Sequence, residues 1–581
     1  MKATGRLIGR YSLLLVFFLG AGASEPQSPR TDVFVPDWAA DAVWYQILVS
    51  RFCNGDRRND PPGTLDWTDD WARLLPDESP PLRERLFFRR YGGDLQGLRS
   101  KLPYLRDLGV NTLYLNPIFQ AGSEHKYDTA DHRHIDDSFG VADSRLKLAR
   151  ETEAPSTWRW SDSDRVFLDF LADAHARGFR VVLDGVFNHV GLEFWAWRDV
   201  SANGRRSRYA DWFDITDWGP PLHWRAWDRP DGELPTFRQD DDGLHRPVEA
   251  YLFAVARRWM DPDGDGDPAD GIDGWRLDAA DRVPHGFWRR FRQVVREVNP
   301  QAILIGEIWS EAGPWLGGDQ FDAVTNYGFA TPVLRFLAQD NRLYPATTLV
   351  EDLAALRARH SWAATLAMMN LIGSHDTERA VTALTDPQRS TRSADGKIEA
   401  IPTRDLLTPD EDAWRRLMLA LVVQFTSPGA PVVYYGDEVG MYGGDDPFCR
   451  APMWWSENGP PYLRRDVQSL VRRLADLRHS RVELRRGRFG LILADDDRRL
   501  LAFSRRCGPD ETIAVVNADT GVHRVALHVG QRGPAFEATF LPTEHPMEAA
   551  SASVTLHRRP DGLVEVELPG LSAVLLRAPG H

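Results

Sequence analysis

Four acidic residues stand at or just beyond the ends of short apolar runs. Asp184 follows Val181-Val-Leu, Asp278 closes Asp273-Gly-Trp-Arg-Leu-Asp278, Glu307 closes Ile303-Leu-Ile-Gly-Glu307, and Asp376 closes Gly373-Ser-His-Asp376. One such residue would read as the cap of a following helix or turn, where Asp is common. Four of them behind apolar runs converge on one site if the runs are strands of a single parallel sheet. Arg276 lies two residues before Asp278, so both side chains leave a strand on the same face. A guanidinium there is expected to lower the carboxyl's pKa and keep it ionised, the state a nucleophile needs. Glu307 has no basic neighbour in sequence and would stand among other carboxylates, which suits a group that holds a proton and delivers it. One ionised and one protonated carboxylate across a bond are the equipment of glycoside hydrolysis.

The elements that must position these groups alternate between β-rich runs and amphipathic helical stretches. Strands are expected at Ala42–Ser50, Asn111–Asn116, Arg180–Phe187, Gly274–Asp278, Ala302–Trp309, Phe321–Tyr327, Ala367–Ser374 and Pro431–Asp437. Between them, Leu95, Leu98, Leu102 and Leu105 mark one helix, and Val467, Leu470, Val471, Leu474 and Leu477 mark another. Eight such units predict an α/β fold, a (β/α)8 TIM barrel over residues 42–480 whose active site sits at the C-terminal ends of the strands. The excursion at 189–246 after the third strand is too long for a plain connection and reads as an inserted subdomain. From Arg481 to the end the texture turns to short alternating runs without helices, the pattern of a C-terminal all-β sandwich domain.

The chain has 581 residues and a formal net charge of −14, a balance that repels phosphate backbones and excludes nucleic acid as a partner. Residues 1–23 read as an export signal. Lys2, Arg6 and Arg10 precede the apolar run Leu13 to Gly20, and Ala21-Gly22-Ala23 supplies the cleavage site. The protein is therefore expected to be secreted or periplasmic, free of the membrane once cleaved, with a Pro- and Ser-containing linker over 24–41. Of the 21 tryptophans, Trp195, Trp197, Trp212, Trp218, Trp224 and Trp227 cluster in the excursion. Flat aromatics with a polar edge suit the C–H faces of sugars, although core packing claims many such rings. Cys53 and Cys449 follow the first and eighth strands, which are neighbours in a closed barrel, so an oxidising compartment would let them pair. Asn54-x-Asp56-x-x-Asn59-Asp60 gathers the hard oxygen donors that calcium prefers. Asp261 to Asp267 imitates the start of an EF-hand loop without its terminal Glu, and reads equally as a polar connector or an ion site.

The segments Asp184-Gly-Val-Phe-Asn-His189, Gly274-Trp-Arg-Leu-Asp278, Gly306-Glu-Ile-Trp309 and Gly373-Ser-His-Asp376 resemble, in order and spacing, the four signature regions of the α-amylase family, glycoside hydrolase family 13. The resemblance implies an α-glucan substrate, with Asp278 as nucleophile, Glu307 as acid/base and Asp376 holding sugar hydroxyls. His189, Arg276 and His375 map onto further sugar-binding positions, and Tyr127 and Asp128 in His125-Lys-Tyr-Asp128 match the aromatic platform and its neighbour. Tyr45-Gln-Ile, Asn116-Pro-Ile-Phe119 and Pro314-Trp-Leu-Gly-Gly-Asp-Gln-Phe-Asp322 look like the neopullulanase, cyclomaltodextrinase and maltogenic amylase branch. In that branch Gly92 and Asp94 would join Asn54, Asp56, Asn59 and Asp60 around Ca²⁺. Its members usually carry an N-terminal β-domain that narrows the cleft and supports a dimer, whereas here the barrel pattern starts directly after the signal. The expectation is a monomer with an open groove walled by Trp212, Trp218, Trp224 and Trp227. Such a groove should accept soluble starch at least as well as β-cyclodextrin. Capture of the glycosyl-enzyme by sugar instead of water keeps transglycosylation open. The intact carboxylate trio weighs against a non-catalytic carbohydrate-binding relative.

Overall fold

The computed structural model describes residues 33–577 apart from 69–70, 72–84, 149, 340–343, 386–407, 458, 460–462, 530–534 and 542–552. The expected export signal and the first half of the expected linker, residues 24–32, lie outside the described residues, and in the second half Asp37–Asp41 form a 3-10 turn that buries Ala39 and Ala40 instead of a free linker. Eight parallel strands form the barrel: β1 (Trp44–Ile47), β2 (Thr112–Leu115), β3 (Arg180–Gly185), β4 (Gly274–Leu277), β5 (Ile303–Gly306), β6 (Ala323–Val324), β7 (Met369–Asn370) and β8 (Ala430–Tyr434). They pair in chain order from β1 to β6, with β8 on the other side of β1 and β7 beyond it. A parallel bridge between Thr325 and Met369 joins β6 to β7 and closes the ring. Every strand but β3, whose first residue is half-buried, is buried throughout. That burial on both faces is why the runs read as continuous apolar stretches. Each of the eight expected strands is present but shorter than its apolar run. The chain leaves the ladder early at the C-terminal end, and the residues so released carry the site.

The helical layer departs from expectation in one place. Leu95 to Leu105 form two short helices, α1 (Leu95–Ser100) and α2 (Leu102–Asp107), because Lys101 is non-helical and Pro103 restarts the helix. The leucine stripe still faces the barrel, with all four side chains fully buried. Further helices used below are α3 (Tyr327–Leu337), α4 (Ala346–Arg357), α5 (Ala380–Thr385), α6 (Glu411–Thr426) and α7 (Arg465–Ser480). In α7 the stripe Val467, Leu470, Val471 and Leu474 is buried, as its spacing predicts.

The inserted segment builds its own aromatic core. Trp212 and Trp197 are buried, and edge-to-face contacts link Trp195 to Trp212 at 5.5 Å and Trp197 to Trp224 at 5.0 Å. Trp218 and Trp224 are half-buried, and only Trp227, 42 % exposed, presents a large open face. The expected four-tryptophan wall is therefore reduced to one ring. Aromatic area is worth more in a core than against water, and a segment this polar needs one.

After a short helix, Val482–Arg486, which the sequence pattern does not reveal, the C-terminal domain is entirely antiparallel. A six-stranded sheet and a two-stranded sheet share one core, in which Ile513, Val515 and Val574 meet Val525, Val564 and Val566. Arg505 pins this domain to the barrel. Its buried guanidinium donates to Gly487 O at 2.8 Å and to Thr426 O, at the end of α6, at 2.9 Å.

Candidate active site

Strand register places the catalytic pair. Leu277 pairs with Gly306 across β4 and β5, so Asp278 and Glu307 are the next residues along neighbouring strands. Backbone bonds carry the ladder one residue further, from Asp278 N–H to Gly185 O at 3.0 Å and from Glu307 N–H to Leu277 O at 2.9 Å. Neighbouring strands run about 4.8 Å apart, so both carboxylates rise side by side from the barrel mouth. Ala279 then takes a left-handed conformation at φ 45°, which costs a non-glycine residue roughly 1 kcal/mol. Its N–H donates to Glu307 Oε2 at 2.9 Å, and Trp309 Nε1–H donates to Oε1 at 3.0 Å.

Arg276 sits among three carboxylates. Its Nη1 donates to Asp184 at 2.9 and 3.0 Å and to Asp278 Oδ1 at 3.0 Å, while Nη2 lies 3.0 Å from Glu307 Oε1. Asp184 is held in turn by the hydroxyls of Tyr114 at 2.6 Å and Tyr127 at 2.9 Å. This corrects two expectations. Glu307 does have a basic partner, supplied from the neighbouring strand rather than from its own sequence. Asp278 is not lowered: burial first, then the charge of Glu307, push its carboxyl well above the ordinary range, and Arg276 opposes them only in part. One cation divided among several acids cannot hold all of them ionised, so the proton belongs to the cluster.

His375 is locked by its neighbours. Gln46 Nε2 reaches its Nδ1 at 2.8 Å, and the hydroxyl of Tyr127 lies 2.6 Å from its Nε2. Burial pushes its pKa well down, so the ring is neutral and carries one proton. An amide donor at Nδ1 puts that proton on Nε2, facing Tyr127 and, at 3.1 Å, Asp376 Oδ2. Tyr127 also accepts from Asn116 Nδ2 at 2.8 Å and stacks on His375 at 5.2 Å with the rings 1° from parallel. Asp376 faces Arg450 at 3.3 Å, and the same guanidinium donates to His375 O at 2.8 Å. Burial, then the charge of Glu307, raise Asp376 to about 7. His189, pushed down to about 4 by burial, is neutral as well and stacks 7° from parallel on Trp227 at 5.8 Å.

Five residues of this site escape sequence reasoning. Arg450 comes from a loop without any local signal, and Gln46 and Asn116 are visible only as members of quoted segments. Trp309 and Tyr327 lie inside expected strands, yet they stack at 3.6 Å beside Glu307. Asp128 accepts from the N–H and hydroxyl of Ser123 and closes its own turn. Cys53 and Cys449 are both free thiols. Cys449 is turned inward, donating to His375 O at 3.2 Å, while Cys53 lies against Asn54 O at 4.0 Å, so the expected bridge does not form.

The loop after β1 leaves part of the expected donor set without partners. Asn54 Oδ1 and Asn59 Oδ1 are buried acceptors without a hydrogen-bond donor among the described residues. Asp60 lies against Asn54 at 2.8 Å, and a Cβ on Gly92 would collide with both. Asp94 instead accepts the N–H groups of Gly55, Asp56 and Gly97, and Asp56 is paired with Arg58. The donors thus fit a hard cation through Asn54, Asn59, Asp60 and Gly92, with the carboxylates of Asp56 and Asp94 turned to other partners. The second acidic stretch brings Asp261, Asp263 and Asp270 together at the surface.

A raised carboxyl has a stability consequence. Between 3.8 and about 7 the folded chain holds a proton on Asp376 that the unfolded chain has released. Its contribution is fully present below 3.8 and is lost as pH rises through about 7. Asp376→Asn removes that loss. The variant should melt above the parent enzyme near pH 8, by a margin that shrinks toward about pH 5. Calorimetry giving a margin independent of pH would show that Asp376 is ionised throughout.

With the geometry in place, the relatives can be set beside it. Residues 46–155 and 162–460 match the family model described as alpha amylase, catalytic domain. Neopullulanase 2 of Thermoactinomyces vulgaris is 38 % identical over 87 % of this chain and 74 % of its own length. A cyclomaltodextrinase of Thermoanaerobacter pseudethanolicus is 36 % identical over 85 % and 73 %. Among solved structures, the cyclic α-maltosyl-(1→6)-maltose hydrolase of Arthrobacter globiformis superposes with a TM-score of 0.69 at 30 % identity, covering 94 % of this chain and all of that one. A cyclomaltodextrinase superposes at 0.72 and 32 %, over 94 % and 79 %. The carboxylates on β4 and β5, the barrel that carries them and these relatives agree: the chain belongs to the α-amylase family, glycoside hydrolase family 13, and is an O-glycosyl hydrolase acting on α-glucans.

Proposed function

We propose that this enzyme hydrolyses α-1,4-glucosidic bonds in malto-oligosaccharides, soluble starch and related glucans with retention of configuration. The observation that carries the reading is the register that sets Asp278 beside Glu307 on one guanidinium. A close carboxyl pair means double displacement. Asp278 attacks the anomeric carbon as its bond to the leaving oxygen breaks, and Glu307 gives that oxygen the proton. In the second half Glu307 takes a proton from water, the water oxygen bonds to the anomeric carbon, and Asp278 is released. Asp376, with the Nε2–H of His375 at its side, is set to hold the hydroxyls of the distorted sugar. A sugar in place of water would turn the same intermediate to transglycosylation. The names of the relatives add pullulan and cyclodextrins to the substrates to be tried.

Two further readings belong here. The basic, apolar and small-residue pattern of residues 1–23 supports export. Among the described residues no helix is long and apolar enough to cross a membrane. The two orphaned asparagine oxygens support calcium in the loop after β1, where it would cross-link that loop to Gly92.

Three outcomes are expected. Asp278→Asn should lower turnover on malto-oligosaccharides by about 10⁴-fold, the scale of losing a catalytic group. Proton NMR of the parent enzyme should show the α-anomer first. More than a tenth of the activity in the variant, or initial β-product, would sink the assignment. Excess chelator should lower the melting temperature, since an ion bound only by the folded chain stabilises it. An unchanged melting curve with no metal by elemental analysis would retire the calcium reading.

A further inference from the structure

Tyr127 stands in the turn of a two-stranded antiparallel hairpin, Phe119–Ala121 and Thr129–Ile135, that follows β2. Its hydroxyl meets Asn116, Asp184 and His375 at 2.8, 2.9 and 2.6 Å, so the turn has little freedom in where it puts this ring. The residue before it, Lys126, combines two costly features. Its backbone is left-handed at φ 64°, a conformation that favours glycine, and its side chain is buried. A buried ammonium persists only with a partner. Lys126 Nζ reaches back to Asp136 Oδ2 at 3.0 Å, just beyond the second strand, and lies over the ring of Phe139 at 5.1 Å. The same carboxylate oxygen accepts the N–H of Ala121, at the end of the first strand, at 3.0 Å.

We propose that Lys126 is a positioning residue, whose strut to Asp136 fixes the left-handed turn that delivers Tyr127 to Asp184 and His375. The turn does not need the ammonium to close. Asp128 already takes the N–H and hydroxyl of Ser123, and the N–H of Lys126 donates to Ser123 Oγ at 3.2 Å. What the strut adds is direction. A rotation of residue 126 toward ordinary backbone would take the ammonium from Asp136 and carry the Tyr127 ring with it. Strained backbone persists where the surroundings over-determine it, and it clusters at functional sites. A displaced Tyr127 withdraws one hydroxyl from Asp184, the anchor that holds Arg276 between Asp278 and Glu307. Small misplacements in such a network are costly in rate. Lys126 acts through Tyr127, so its effect should exist only while Tyr127 is present.

The test is a double-mutant cycle on Lys126→Met and Tyr127→Ala, with each variant assayed below its melting temperature. The substrate is whichever of maltopentaose, pullulan and β-cyclodextrin the parent enzyme cleaves best. Failure of the proposed substrate range then shows in the parent, and failure of the positioning shows in the variants. Lys126→Met should lower kcat by about tenfold or more in the parent, with KM within about threefold. Added to Tyr127→Ala, it should cost less than about twofold further. An equal loss in both backgrounds, a loss confined to KM, or no loss in the parent would overturn the proposal. Should Lys126→Met leave no folded protein, Asp136→Asn takes its place. The amide keeps an oxygen for the Ala121 N–H and faces Lys126 without a charge. It should lower kcat by about threefold or more in the parent and leave the Tyr127→Ala background unchanged. Equal losses in both backgrounds, or none, would again overturn it.

Discussion

One buried guanidinium organises the molecule's chemistry. Arg276 is fully enclosed and faces Asp184, Asp278 and Glu307 at about 3 Å each. A buried ion is tolerable only when paired, and removing one partner of such a pair typically costs about 3–5 kcal/mol. The acids need Arg276 as much as it needs them. Asp184 is its anchor, because the two tyrosine hydroxyls that hold Asp184 also fix the orientation of the guanidinium. The reacting carboxylates then share what remains of its charge. Sharing leaves the cluster short of positive charge, which keeps a proton at the site while the partners remain fixed.

The same interaction runs outward through hydrogen bonds whose direction is set at each step. Gln46 donates to His375, His375 to Tyr127, and Tyr127 to Asp184, so a strand at the opposite side of the barrel helps to orient Arg276. Arg450 closes the other flank by facing Asp376 while holding the backbone of His375. A neutral histidine is required throughout, and burial supplies it. The site is thus pre-organised before any sugar arrives, which is the usual source of electrostatic catalysis.

Much of this was legible in the sequence because barrel strands are buried on both faces and therefore announce themselves as apolar runs. Acids at the ends of such runs must converge, so Asp184, Asp278, Glu307 and Asp376 could be picked out together. What stayed hidden depends on contacts between distant segments. Nothing near Arg450 points to Asp376, and nothing near Glu307 discloses that Arg276 reaches it from the next strand. The pKa expectation for Asp278 failed for that reason: counting one local arginine ignored two competing acids and the burial of the carboxyl. Tryptophan content misled in the inserted segment, since composition cannot distinguish a ring that walls a groove from one that fills a small core. The Cys53–Cys449 pairing failed likewise, as neighbouring strands do not oblige their following side chains to face each other.

The most direct measurement is to trap the intermediate. A maltosyl fluoride bearing a second fluorine at C5 of the reacting sugar should glycosylate the enzyme and accumulate there, because the C5 fluorine slows both charged transition states while departure of the anomeric fluoride keeps entry faster than release. After peptic digestion, mass spectrometry should find the added sugar on the peptide containing Asp278 and on that residue alone. A sugar on Glu307 or Asp376, or hydrolysis without any covalent species and with inverted product, would contradict the assignment of Asp278 as the nucleophile of a retaining pair.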